Sequence, residues 1–98
     1  MLFRSFEPAA LLRMATADGH AALGWTDAGR LEVGARADLV TVGADSVRTA
    51  RLDDDPLGTA VFAATAADVR HVVVDGRVVV RDGRHVAIDP VAELRSWP

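Results

Sequence analysis

Cysteine, lysine and tyrosine are missing from this sequence, and only 5% of its residues are aromatic. Without cysteine there is no disulfide framework, no thiolate nucleophile and no thiolate metal site. Without lysine, Schiff-base chemistry and a phosphate-loop lysine are excluded. The 11 basic residues are all arginine and face 14 aspartates and glutamates, for a net charge of -3. That balance leaves no electrostatic footprint for nucleic acid. No apolar run approaches the roughly 20 residues needed to cross a bilayer, so no membrane partner is expected. The start, MLFRSFEPAALLRM, carries Arg4 and Glu7 early and suits no signal peptide. A cytoplasmic location is the default expectation.

What is present is a soluble composition, 50% hydrophobic over 98 residues and drawn mainly from alanine, valine and leucine. The length allows one domain at most, with a thin core. Pro8 suits the first position of a helix, and Leu11, Leu12, Ala15, Ala22 and Leu23 recur near helical spacing. Gly24 is its stop. Gly19 inside the pattern points to the close approach of another backbone or to a break in the helix. Gly29 and Gly34 bracket Arg30–Val33, and Asp38–Val42 reads as a strand. The run Asp53, Asp54, Asp55, Pro56 opens a second short helix, to about residue 64, with Leu57, Val61 and Phe62 facing inward.

The strongest local signal is VRHVVVDGRVVV, Val69–Val80. Asp75-Gly76 between valine runs is a tight hairpin turn, since both central positions favour positive φ. Asp82-Gly83 turns the chain again, towards Arg84–Ile88. The valines are consecutive rather than alternating, which predicts strands covered on both faces. Asp89-Pro90 opens a last helix, Val91–Trp97. The fold class is α+β.

The chemistry-bearing residues are sparse. His20, His71 and His85 show no i, i+2 or i, i+4 pairing, so each reads as structural or exposed rather than as a metal ligand. The triple aspartate lacks the spacing of a calcium loop and reads as a solvated cap. Ser5, Ser46 and Ser96 sit in no nucleophile elbow. No catalytic, metal or substrate-binding residue is assigned.

Three stretches carry a resemblance. GRLEVGARADLVTV, Gly29–Val42, resembles the G-x-[IL]-x-x-G-x-x-A-D-[LF]-[VI] signature of metal-dependent amidohydrolases, matched at Gly29, Leu31, Gly34, Ala37, Asp38, Leu39 and Val40. VRHVVVDGRVVVRDGR, Val69–Arg84, resembles the hairpin that follows it in that family. ATADGHAALG, Ala15–Gly24, resembles the helix that precedes it. Within the family, ADLVTV, DSVRTA (Asp45–Ala50) and Ala60–His85 are similar to formimidoylglutamate deiminases, enzymes of histidine degradation.

The resemblance implies a parent with a (β/α)8 barrel and one zinc, hydrolysing N-formimino-L-glutamate to N-formyl-L-glutamate and ammonia. Its metal ligands have no counterpart here, so the expectation is no cofactor in this chain and zinc in the full-length parent. Residues 1–24 would end the barrel, and residues 25–98 would form much of a small flanking β-sandwich. Gly29 and Gly34 would give a tight turn between strands. Asp38 would bond nearby backbone N–H groups, and Asp75 and Gly76 would turn the hairpin. The expected partner is the rest of the barrel enzyme, or a second copy that covers Val72, Val74, Val78 and Val80. Two alternatives stand beside this: the tail of another amidohydrolase or deaminase, and a stand-alone β-rich interaction module.

Overall fold

A computed structural model describes residues 6–98. The first five residues of the expected 1–24 helical segment, Ser5 among them, lie outside the described residues. Pro8 opens α1, Pro8–Arg13, where its missing N–H costs nothing. The chain widens into one π-type turn, Met14–Asp18, and regains α geometry in α2, Gly19–Ala22. A Cβ on Gly19 would lie 2.7 Å from the Met14 carbonyl oxygen. The backbone close to Gly19 is therefore that of the helix's own widened turn, and not of another element as expected. Gly24, at φ 86°, ends the helix in the left-handed region.

Gly29 and Gly34 do have positive φ, 83° and 92°. They do not join two strands, because residues 25–36 form turns and bends only. Arg36 holds this loop folded. Its N–H donates to the Asp27 carbonyl at 2.7 Å. Its Nε donates to the Asp27 carboxylate at 3.2 Å, and its guanidinium stacks 4.5 Å from the Trp25 ring centroid. With both ends pinned, Arg30–Val33 has no extended neighbour to pair with.

Four antiparallel strands follow as a meander in the order β1-β2-β3-β4: Leu39–Val42, Val69–Val74, Arg77–Arg81 and Arg84–His85. Asp75 and Gly76, at φ 51° and 77°, make the β2–β3 turn with both central positions left-handed. Asp82 and Gly83 repeat the device, at φ 51° and 78°. β4 is shorter than the expected Arg84–Ile88. The register sets Val40, Val72 and Val80 on one face and Leu39, Val73 and Val78 on the other, with a bulge in each of the first two pairings.

The second helix starts at Pro56 as foreseen. Only α3, Pro56–Gly58, is α-helical, and Thr59–Ala63 is again π-type. It packs against α1. Leu57 and Phe62 do not face inward but are exposed. The last helix, α4, is Pro90–Ser96, capped by the Asp89 carboxylate on the N–H groups of Val91 and Ala92.

Among the described residues Ala28 is the only fully buried apolar side chain. The accessible surface is 7776 Å². A compact monomer of this mass would expose about 5,400 Å². The radius of gyration is 15.7 Å, against about 12.6 Å for a closed domain of this length. The valine sheet and the helices therefore leave much of their apolar surface open.

Candidate functional site

Asp68 is the polar centre of the structure. Its side chain is 2% exposed. Arg48 grips it bidentately, Nε to Oδ2 and Nη2 to Oδ1, both at 2.9 Å. The same carboxylate accepts the Thr65 N–H at 2.9 Å, completing a reciprocal cap with the Thr65 hydroxyl on the Ala66–Asp68 turn. The Asp68 carbonyl accepts the Gly43 N–H at 2.8 Å, just past β1. The Arg48 guanidinium above all, then the Ser46 hydroxyl and the Thr65 N–H, hold the Asp68 carboxyl far below the usual carboxylate range, against the opposing effect of burial. Beside it the Ser46 and Thr49 hydroxyls lie 2.9 Å apart, with Thr49 fully buried. Among the described residues no buried side-chain nitrogen or oxygen lacks a partner. Nearby, Arg70 bonds Asp45 and lowers its pKa by that bond and by its charge.

Sequence reasoning missed this centre. The Thr65-x-x-Asp68 spacing is the signal that could have found it, since a cap of that pattern fixes the carboxylate at a turn. Its partner Arg48 lies 20 residues away, beyond any local pattern.

The residues singled out from the sequence fall elsewhere. The Asp38 side chain does not bond the backbone next to it in sequence. Its Oδ1 accepts the Asp75 N–H at 2.7 Å, across 37 residues. The Ala37 carbonyl accepts the Gly76 N–H at 2.9 Å beside it. Asp38, Asp75 and Gly76 are thus brought together, and they tie the first motif to the hairpin turn. Gly29 lies apart, against the π-type turn: a Cβ there would meet Thr16 O at 2.6 Å, Thr16 C at 2.7 Å and Ala17 N at 2.8 Å. Gly34 meets nothing within 4 Å.

Each histidine has local work. His20 Nδ1–H donates to the Thr16 carbonyl at 2.6 Å. His71 Nδ1 accepts the Asp82 N–H at 3.3 Å. His85 Nδ1 accepts the N–H groups of Ala87 and Ile88, each at 3.1 Å. Among the described residues no group of three or more histidine, aspartate or glutamate side chains is placed to hold a metal ion. The donor set of the described residues does not fit a zinc. Among the described residues no helix is long and apolar enough to cross a membrane.

One groove of about 420 Å³ opens between the 47–51 loop and the second helix, with Val47, Arg51, Asp55 and Phe62 in its lining. Asp55 caps α3 through the Gly58 N–H at 3.0 Å.

Known proteins resemble this chain in sequence and in fold. A family model described as "Amidohydrolase family" matches residues 2–79. A 5-methylthioadenosine/S-adenosylhomocysteine deaminase from Halobacterium salinarum is 45% identical over 83 residues, covering 85% of this chain and 19% of its own length. A 5'-deoxyadenosine deaminase from Methanosarcina barkeri is 37% identical over 90 residues, covering 87% of this chain and 20% of its own length. The crystal structure of an adenosine deaminase from Xanthomonas campestris with bound zinc aligns with a TM-score of 0.83 at 32% identity, over 91% of this chain and 20% of that one. The zinc complex of an atrazine chlorohydrolase from Arthrobacter aurescens aligns at 0.78 and 31% identity, over 91% of this chain and 19% of that one. The chain spans about a fifth of the length of the relatives it matches.

Proposed function

The chain belongs to the amidohydrolase family, and from that premise we propose that it is a structural C-terminal segment of a deaminase-type hydrolase. The observation that carries this reading is its match to about a fifth of each relative, joined to a surface larger than a closed domain would leave. The most buried carboxylate among the described residues, Asp68, is taken up by Arg48 in holding the loops to the sheet. The chemistry belongs to the barrel, whose reaction is the hydrolytic release of ammonia from an amidine carbon.

Adenosine derivatives and N-formimino-L-glutamate both contain that carbon. In an adenosine derivative it is the ring carbon bearing the exocyclic amine; in N-formimino-L-glutamate it is the formimino carbon. The names of the relatives support the adenosine class. The formimidoylglutamate deiminase reading rests on the likeness of ADLVTV, DSVRTA and Ala60–His85. Zinc belongs to the parent on this reading, as in the two relatives whose structures contain it.

The test is a fusion in which this chain replaces the matching segment of the Halobacterium deaminase. The fusion is expected to fold and to release ammonia from 5-methylthioadenosine, while the isolated, zinc-loaded chain releases none above the blank. An insoluble or inactive fusion overturns the structural role, and ammonia from the isolated chain overturns its inertness. For the substrate class, the enzyme encoded at this chain's own locus is assayed on both amidines. Release from N-formimino-L-glutamate only would overturn the adenosine assignment.

A further inference from the structure

Three Asp-Gly pairs occur in this chain: Asp18-Gly19, Asp75-Gly76 and Asp82-Gly83. An aspartate followed by glycine can rearrange its own backbone, because glycine has no Cβ to hinder the approach of its nitrogen to the neighbouring carboxyl. The glycine nitrogen attacks the aspartate Cγ. A C–N bond forms and a C–O bond breaks. The carboxyl oxygen leaves as water, with the nitrogen's proton and one taken from solvent. A second water then opens the five-membered imide. Entry at the former Cγ restores aspartate, whereas entry at the backbone carbonyl leaves isoaspartate, whose main chain runs through Cβ and Cγ. The solvent proton is returned, so the mass is unchanged and water is the only co-reactant.

The attack needs the glycine nitrogen released and the peptide plane before it free to rotate. The fold opposes this to different degrees at the three pairs. Asp18 and Gly19 lie inside the first helix, at φ -69° and -63°, so reaction there requires the helix to open. At the second pair the Ala37 carbonyl holds the Gly76 N–H at 2.9 Å, and the Asp38 carboxylate holds the Asp75 N–H at 2.7 Å. The latter is a charge-assisted bond, and β2, which enters this turn, is also paired to β1. At the third pair the Gly83 N–H meets the Arg70 carbonyl at 2.8 Å, but the Asp82 N–H reaches only the His71 ring, at 3.3 Å. The strand that closes this turn, β4, has two residues. Its pairing sets Arg81 directly opposite Arg84, and like charges so placed oppose the pairing. The Asp82 side chain is 79% exposed. A hairpin closed this weakly opens locally more often than the sheet that carries it.

We propose that Asp82 is a site of spontaneous isomerisation to isoaspartate and reacts ahead of Asp18 and Asp75. The extra main-chain carbon lengthens a two-residue turn in which Asp82 and Gly83 are both left-handed. β4 then loses its register with β3, together with the bond from the Val86 N–H to the Val79 carbonyl.

The experiment incubates the 98-residue chain at neutral pH, with and without urea. The chain is then digested with an endoproteinase that cuts before aspartate but not before isoaspartate. Isomers of equal mass are separated by chromatography and placed by fragmentation. In buffer the isomer at Asp82 should accumulate at least about fivefold faster than at Asp75 or Asp18, the factor that one net hydrogen bond sets on the open population. In urea the three rates should converge, since the dipeptide chemistry is the same. Asp38→Ala should raise the Asp75 rate about fivefold and leave the Asp82 rate unchanged. Asp82→Glu should abolish the isomer at this position, because its imide would need a six-membered ring. No isomer at Asp82, or an equal rate at Asp18 or Asp75 in buffer, overturns the proposal. A lead that persists undiminished in urea traces it to neighbouring sequence and overturns the structural argument.

Discussion

Replacing Gly29 by alanine separates two costs that glycine avoids. Gly24, Gly29 and Gly34 share nearly the same backbone, at φ 86°, 83° and 92°. An alanine at any of them pays the left-handed penalty, about 1–2 kcal/mol. Only at Gly29 does the new methyl meet backbone, the Thr16 carbonyl at 2.6 Å and Ala17 N at 2.8 Å. Those atoms belong to the π-type turn and cannot rotate aside as a side chain would. Forcing the loop away from the helix adds about 1–3 kcal/mol, as overpacking does elsewhere. The assay is urea unfolding of the 98-residue chain followed by far-UV circular dichroism. With a slope near 1 kcal/mol per molar urea, Gly29→Ala should lower the midpoint by about 1–3 M more than Gly34→Ala does. If Gly29→Ala leaves no transition while Gly34→Ala keeps one, the ordering still holds. Equal midpoints for the two variants would refute the close approach and leave only the dihedral cost.

Three further outcomes are expected. Asp38→Ala should cost about 1 kcal/mol and speed amide exchange at Asp75, its partner across 37 residues; unchanged exchange there would deny the tie. Asp68 and Asp45 are held below the ordinary carboxylate range by Arg48 and Arg70. The unfolded carboxyls take up protons first, near pH 4, so the contribution of these pairs is complete above about pH 4 and is lost as pH falls further. Acid titration of stability should show that fall, and Arg48→Ala should flatten it. Asp55→Ala should cost about 1 kcal/mol as a lost cap. A Cβ on Gly58 would lie 2.1 Å from Asp55 Oδ2 and displace the same cap. The double variant should therefore lose much less than the sum of the two, as a double-mutant cycle would record.

Local chemistry was legible in the sequence wherever one or two residues decide the backbone. The Asp75-Gly76 and Asp82-Gly83 turns and the Asp55 and Asp89 caps fall where the residue types placed them. The π-type turns at Met14–Asp18 and Thr59–Ala63 were not legible. One extra residue per turn barely changes an apolar pattern over so short a helix. The partners of Asp38 and Asp68 were hidden because they lie 37 and 20 residues away. The inward facing assigned to Leu57 and Phe62 failed for a different reason. Hydrophobic spacing reports that a face is to be covered, without saying which chain supplies the cover. The substrate was out of reach because the motifs that carry the resemblance consist of turn glycines, strand valines and the aspartates that fix them, none of which selects a substrate.

The shortage of buried apolar side chains has a calorimetric consequence. Unfolding heat capacity follows the surface newly exposed to water. This chain already shows 7776 Å² when folded, so it gains only about three quarters of the new surface that a closed domain of its mass would. Heated alone, it should absorb heat over a broad range with a correspondingly small heat-capacity step. Joined to the barrel, the same residues should melt within the larger cooperative unit, and the sharpening of that transition would measure how much of their fold is held from outside.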